Sequence, residues 1–154
     1  DGYQVARRIE QASLFAHYDV FRATTHNKGI MNGISSVALA TGNDLRAVEA
    51  AAHSYAAYPS SYKPLSRWHV DNESRSAYLV GRLKLPIPVG VVGGMTRFHP
   101  VARVCLKMLA QPSGPQLAEI MAAVGLAQNL AALKALSGDG IQKGHMRLHH
   151  KKIH

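Results

Sequence analysis

The sequence predicts an α/β (α+β) chain in which helices dominate and one short antiparallel hairpin lies near residues 67–85. Apolar residues recur at helical spacing on both sides of that region, whereas within it they alternate with polar ones. A hydrophobic fraction of 47% against 18% charged residues can supply a core and excludes intrinsic disorder. The length of 154 residues suits one domain or part of one.

The first third of the chain predicts three helices. Residues 5–18 carry apolar side chains at helical spacing and form an amphipathic helix. Residues 24–29 are rich in Thr, His and Asn, which predicts a polar loop whose last residues cap a second helix over 30–42. Asp44 caps a third helix over 45–57, where small alanine side chains suit close packing.

The spacing of apolar residues is no longer helical after two prolines, Pro59 and Pro64. Residues 67–70 and 78–85 alternate between apolar and polar side chains, and residues 71–74 carry the Asp, Asn and Ser that are typical of a turn. This pattern predicts the antiparallel hairpin.

The last third returns to helix after an irregular stretch. Residues 86–94 combine Pro, Gly and Val, which predicts a buried strand or a tight loop. Helices follow over 104–109 and 116–136. The longest uncharged stretch, residues 120–133, is shorter than the ~20 residues that a membrane span needs, so the sequence predicts no membrane partner.

Charge and cysteine content narrow the functional classes. Lys and Arg number 18 against 9 Asp and Glu, a formal charge of +9, and residues 143–154 are basic with no acid. A nucleic-acid-binding module is therefore one candidate, although no aromatic residue interleaves with that tail for stacking. Cys105 is the single cysteine, which excludes an internal disulfide, favours a reducing compartment and provides no thiolate cluster for a metal.

Two cations are candidates for chemistry. Lys28 stands where a helix start is predicted, and the positive end of the helix dipole lowers the proton affinity of a lysine there. Such a lysine can act as an electrophile, and the alternative is a solvated surface lysine. Arg22 suits bidentate carboxylate binding, with a surface arginine as its alternative.

Four further residues are candidates of other types. Asp44 is one of them, although a helix cap is the favoured explanation of this residue when it is considered alone. His145 stands among cations that lower its pKa, so that it releases a proton readily. Gln128 and Asn129 interrupt an apolar helix, and because buried amides require hydrogen bonds, they face either a ligand or another helix.

Five segments resemble class II 3-hydroxy-3-methylglutaryl-coenzyme A (HMG-CoA) reductase, the soluble prokaryotic form. Residues 21–33, with Thr-His-Asn-Lys-Gly around the lysine, resemble the catalytic-lysine segment of the family, and residues 40–47, with Gly-Asn-Asp, resemble its catalytic-aspartate segment. Residues 85–94, 122–129 and 140–146 agree in order and approximate spacing. The resemblance covers nearly the whole chain.

The resemblance implies a specific reaction. The family interconverts HMG-CoA with mevalonate and coenzyme A, using two NADH or NADPH, through a hemithioacetal and an aldehyde. By position, Lys28 stabilises the oxyanion, Asp44 pairs with Lys28, and His145 protonates the coenzyme A thiolate. Arg22 grips the hydroxymethylglutaryl group. The remaining polar lining consists of Asn32, Gln128 and Asn129.

The resemblance also implies how the chain is organised. Residues 1–139 correspond to the second half of the large substrate-binding domain and residues 140–154 to the start of the C-terminal flap. The small nucleotide-binding domain and a catalytic Glu have no counterpart, so no cofactor-binding residue is assigned and this segment alone is expected to be inactive. A cytoplasmic homodimer or higher homo-oligomer with its active site at the subunit interface is expected, without metal, nucleic acid or membrane.

Three alternatives remain open beside the reductase. They are the basic nucleic-acid-binding module, a non-catalytic homologue of the reductase, and another coenzyme A-dependent oxidoreductase on the same scaffold.

Overall fold

The computed structural model describes residues 2–58, 60–72 and 77–138. Within these ranges the chain forms a helix-rich fold with a two-stranded antiparallel sheet, as the sequence predicts. The elements in chain order are α1 (Gly2–Tyr18), α2 (Val20–Ala40), α3 (Leu45–Ala57), β1 (Ser66–Asp71), β2 (Tyr78–Leu83), α4 (Gly94–Phe98), α5 (Pro100–Met108) and α6 (Gly114–Ser137).

The polar loop predicted over residues 24–29 is wrong, because α2 runs through it without a break. The N-cap is Asp19, whose side chain accepts a hydrogen bond from Arg22 N at 2.6 Å. Thr24 and Thr25 donate their hydroxyls to carbonyls of the preceding turn, at 2.9 and 3.0 Å. Hydroxyls that bond back in this way are compatible with a helix interior, so the residue types that suggested a loop are absorbed by the helix.

The boundary between α2 and α3 follows the prediction closely. Gly42 takes a positive φ of 70°, the left-handed conformation that ends many helices. Asp44 then caps α3, and its side chain accepts from the backbone nitrogens of Arg46 and Ala47. The capping role proposed for Asp44 is therefore confirmed.

The hairpin is also confirmed. The connection between its two strands includes residues 73–76, which lie outside the described ranges. Trp68 on β1 stands opposite Gly81 on β2. An added Cβ at Gly81 would lie 2.5 Å from the Trp68 ring, so glycine is required where the indole covers the neighbouring strand.

The segment between β2 and α6 contains more helix than predicted, and of the two alternatives given for residues 86–94, a buried strand or a tight loop, the structure shows a loop over residues 86–93. Residues 84–93 form neither a helix nor a strand, and the short α4 and α5 follow them. Helix α6 begins with a capping box between Ser113 and Gln116 and continues to Ser137, two residues longer at its start than predicted. By length and composition alone, α6 could cross a membrane.

In the structure, α6 packs along α2 at short range. An added Cβ at Gly33 would lie 2.8 Å from the Val124 carbonyl oxygen, and one at Gly125 would lie 2.7 Å from Ile34. Small residues on both helices thus allow the two backbones to approach closely. Leu117, Met121 and Leu133 of α6 are fully buried, so its apolar side chains supply much of the core.

Candidate active site

Three of the predicted site residues form a row along α2. The row consists of Arg22, Lys28 and Asn32, with Thr25 between the first two. The positions 22, 25, 28 and 32 are separated by three, three and four residues. Residues at these separations are neighbours on a helix surface, so the row presents two cations, a hydroxyl and an amide along one side of α2. Lys28 and Asn32 are exposed and Arg22 is half-buried.

The Arg22 guanidinium is held in place within this row. Its Nη1 donates to Thr25 Oγ1 at 2.9 Å. Burial lowers the pKa of Arg22 from its ordinary value, although the side chain stays charged at neutral pH. The Nε atom of Arg22 is buried and has no hydrogen-bond partner within residues 2–58, 60–72 and 77–138. A guanidinium with an unused buried donor beside a fixed hydroxyl is suited to binding a carboxylate.

Lys28 lies inside α2, away from its first turn. The prediction that it stands at a helix start is therefore wrong, and the helix dipole does not act on it as supposed, since that effect fades within the first turn. Its side chain is exposed and, among the described residues, makes no hydrogen bond or ion pair. The position of Lys28 consequently depends on how α2 itself is held.

Gln128 of α6 is brought to the end of this row by the close packing of the helices. Its Cβ would lie 3.1 Å from a Cβ built on Gly33, the residue that follows Asn32. Gln128 is exposed, contrary to the expectation that it is a buried amide. An exposed amide beside Asn32 is available to a ligand, so its predicted place in the polar lining remains consistent with the geometry.

Asn129 behaves differently from its neighbour, because it is only 1% exposed. Its Oδ1 accepts hydrogen bonds from Ser66 Oγ at 2.8 Å and from Trp68 Nε1 at 2.7 Å. Its Nδ2 donates a long bond of 3.5 Å to the His26 carbonyl oxygen. Of the two alternatives left open by the sequence, the structure favours a hydrogen bond within the fold over contact with a ligand.

Two functional neighbours were missed by sequence reasoning, namely His26 and Asn27. His26 Nε2 lies 2.7 Å from Ser66 Oγ, and burial, followed by the charges of Arg22 and His17, lowers the pKa of His26 to about 4. Asn27 donates to the Lys63 carbonyl at 2.9 Å and accepts from Leu65 N at 2.8 Å.

The sequence contained a pattern that could have identified His26 and Asn27 as buried residues. The buried positions of α2 include 23, 26, 27, 30, 34 and 38, which follow one helical face. The predicted loop over 24–29 concealed this periodicity.

The structure does not bring Asp44 together with Lys28. Its carboxylate forms an ion pair with Arg46 at 3.3 Å, and no ion pair joins it to Lys28, although the structure describes both residues. The hydrogen bond from the Arg46 side chain is the main reason that the pKa of Asp44 lies below its ordinary value. The proposed pairing with Lys28 therefore stays a prediction. His145 and the flap over 140–154 lie outside the described residues.

Comparison with known proteins shows which family the chain resembles. Residues 1–150 match the family model for hydroxymethylglutaryl-coenzyme A reductase. The chain is 52% identical over 152 residues to the 3-hydroxy-3-methylglutaryl-coenzyme A reductase of Archaeoglobus fulgidus, covering 99% of this chain and 34% of that protein. It is 44% identical to a probable reductase of Borreliella burgdorferi, with 99% and 35% coverage. The chain thus spans about a third of the length of these curated relatives.

Solved structures point the same way. The class II reductase of Streptococcus pneumoniae, bound to NADPH in open conformations, superimposes with a TM-score of 0.85 at 49% identity, over 96% of this chain and 35% of that one. A second structure of the Streptococcus pneumoniae reductase gives a TM-score of 0.86 at 48% identity, over 96% and 35%. With the family model matching nearly every residue, this chain belongs to the hydroxymethylglutaryl-coenzyme A reductase family.

Proposed function

We propose that this chain supplies the substrate-binding and oxyanion-stabilising part of an HMG-CoA reductase, which interconverts HMG-CoA with mevalonate and coenzyme A. The observation that carries the proposal is the α2 row of Arg22, Lys28 and Asn32, with Gln128 beside it, in a chain that belongs to the reductase family. The row places a carboxylate-binding group and an exposed ammonium on one side of a single rigid helix.

Each member of the row has a separate task. The Arg22 guanidinium binds the terminal carboxylate of the hydroxymethylglutaryl group. The Lys28 ammonium lies farther along the helix and stabilises the negative charge that develops on the thioester oxygen as the carbonyl is reduced. Asn32 and Gln128, at the end of the row that follows Lys28, donate or accept hydrogen bonds with the substrate. Asp44 then pairs with Lys28 once substrate is bound.

The nicotinamide supplies the hydride. The described residues contain no Rossmann-type dinucleotide-binding unit, because their two strands are antiparallel and no helix connects parallel strands. No step is therefore assigned to nicotinamide binding in this chain. His145 is proposed to protonate the departing coenzyme A thiolate as a general acid.

The most direct test replaces the lysine in a full-length reductase that contains this chain. Lys28→Ala should lower kcat for HMG-CoA-dependent NAD(P)H oxidation by roughly 10²- to 10³-fold, the range seen when an oxyanion donor is removed. Lys107→Ala is the matched control, since Lys107 is an exposed lysine on α5. Equal turnover in the two variants would remove Lys28 from the mechanism, whereas no turnover by the unmodified full-length protein would favour a non-catalytic homologue.

A second variant tests substrate binding separately. Arg22→Ala should raise KM for HMG-CoA by about 10- to 100-fold, because a charge-assisted hydrogen bond contributes about 1.5 to 3 kcal/mol. Arg22→Lys keeps the charge and should recover only part of the affinity, since it cannot form two parallel bonds. An unchanged KM in Arg22→Ala would show that the carboxylate binds elsewhere.

We also propose a cytoplasmic homodimer whose active site lies at the subunit interface. Phe21, next to Arg22, is 80% exposed, and Leu39 at the other end of α2 is 64% exposed. Large apolar side chains that flank the row in this way suit a contact between subunits. Sedimentation of the full-length protein should give a dimer, and a monomer with full activity would contradict the proposal.

A further inference from the structure

We propose that His26, Ser66 and Asn129 are positioning residues for Lys28, which they hold in place through a directional chain of buried hydrogen bonds. This inference rests on the proposed function, because it assigns a role relative to the lysine of that reaction. It reassigns Asn129 from the substrate lining to the support of α2.

The direction of each bond follows from donor and acceptor chemistry. Trp68 Nε1 can only donate, and it lies 2.7 Å from the side-chain atom of Asn129 that is therefore the oxygen. Ser66 Oγ lies 2.8 Å from the same oxygen and donates its single hydrogen to it. The His26 Nε2 atom, 2.7 Å from Ser66 Oγ, must then be the donor of that bond.

One tautomer of His26 is thus selected, with the proton on Nε2. The Nδ1 atom becomes an acceptor, and it is buried without a hydrogen-bond partner in the part of the chain that the structure describes. The low pKa of His26 agrees with a neutral ring that is not required to bear a second proton. The hydrogen bond from Nε2 to Ser66 Oγ therefore sets the orientation of this buried ring.

The chain matters for Lys28 because of where it attaches. His26 and Asn27 immediately precede Lys28, and both bind residues of β1 or the segment leading into it, about 40 positions away. Lys28 itself makes no hydrogen bond or ion pair among the described residues. The backbone that carries the ammonium is therefore fixed by its two buried neighbours, and misplacement by about 1 Å is enough to slow a reaction substantially.

The test uses a full-length reductase that contains this chain. It compares two substitutions of His26 that differ in whether the new amide can reach the place of Nε2. His26→Gln places an amide nitrogen near the former Nε2 and can still donate to Ser66. His26→Asn has the same polar group but is too short to reach it. We expect His26→Gln to keep kcat within about threefold, whereas His26→Asn and Ser66→Ala lower kcat by about 10- to 100-fold, with KM for HMG-CoA changed by less than about threefold.

A matched control separates positioning from folding. Ser13 is fully buried like Ser66, and its hydroxyl accepts a bond from Trp68 N at 3.0 Å, but it lies on α1 and this hydrogen bond runs to β1 rather than to α2. Ser13→Ala should lower the urea midpoint about as much as Ser66→Ala and leave kcat unchanged. Equal kcat in Ser66→Ala and Ser13→Ala, or in His26→Asn and His26→Gln, would overturn the inference.

The two proposals fail in distinguishable ways. If the unmodified protein does not oxidise NAD(P)H in the presence of HMG-CoA, the proposed function is wrong. If it does and the His26 and Ser66 variants retain their kcat, only the positioning role is wrong.

Discussion

The junction of α2, α6 and β1 differs sharply from the segment formed by α4 and α5. In the junction, buried side chains of three elements are joined by directed hydrogen bonds, and glycines let the helices approach closely. The α4–α5 segment buries few residues, and its large apolar side chains are mostly exposed. These exposed residues are Met95, Phe98, Val101, Val104 and Met108.

This difference indicates which part of the chain satisfies its buried groups internally and which part leaves apolar surface uncovered. Apart from His26 Nδ1, the buried polar side-chain atoms of His26, Ser66, Trp68 and Asn129 find their partners within this chain, so the junction is held by its own hydrogen bonds. The α4–α5 segment leaves apolar area uncovered, which is typical of a surface that packs against something else. Of the residues proposed for chemistry, Arg22, Lys28 and Asn32 lie on α2 and Gln128 lies on α6, the two helices that the junction holds together.

The largest effect should come from breaking the junction at Asn129. Asn129→Leu leaves the Trp68 Nε1 and Ser66 hydroxyl donors buried without an acceptor, and each unsatisfied group costs about 1 to 3 kcal/mol. Urea unfolding should show a loss that reflects both groups. Gln128→Leu, on the exposed neighbouring position, should change stability by less than about 0.5 kcal/mol. Similar losses in the two variants would mean that the junction is not specially stabilised.

The next largest effect should appear when pH is lowered. The pKa of His26 is about 4 in the folded chain and about 6.5 when unfolded, so protonation favours unfolding. The contribution is complete above pH 6.5 and is lost as pH falls through 4, in total about 3 kcal/mol. Stability measured from pH 7 to 4 should fall less steeply in His26→Gln, which has no titrating group. Parallel curves would contradict a buried neutral His26.

A smaller loss should follow from separating α2 and α6. Gly33→Ala places a Cβ 2.8 Å from the Val124 carbonyl oxygen, a backbone atom that cannot move freely. The overpacking costs about 1 to 3 kcal/mol, and the better helix propensity of Ala offsets about 1 kcal/mol of it. Gly90→Ala is the control, because its Cβ would meet nothing and its φ is not positive. Denaturation should rank Gly33→Ala below the unmodified chain and Gly90→Ala level with it or above.

The smallest effect is expected in the α4–α5 segment. Val104→Ser removes an apolar side chain that is 56% exposed and should alter the unfolding free energy of this chain by less than about 0.5 kcal/mol. In a full-length protein the same change should cost more, since the uncovered face would there be packed. Equal small costs in both contexts would show that the face stays open to solvent.

Much of this architecture was predictable from local patterns. The helix over 45–57, its Asp44 cap and the hairpin each rest on residues close together in the sequence, where spacing and capping chemistry are sufficient. The length of α2 was not predicted, because Thr24 and Thr25 are typical of loops unless their hydroxyls bond back to the helix. That error also placed Lys28 wrongly at a helix start.

The candidate site likewise contains residues that the sequence identified and residues whose roles only the structure distinguished. Motif order in the sequence identified the family and singled out Arg22, Lys28, Asn32 and Gln128, since residue type and spacing carry that information. Only the tertiary structure separated Gln128 from Asn129, which are adjacent in the chain but face solvent and core respectively. The reason is physical: hydrogen bonds between residues about 40 to 100 positions apart depend on how α2, β1 and α6 pack, and no local pattern encodes them.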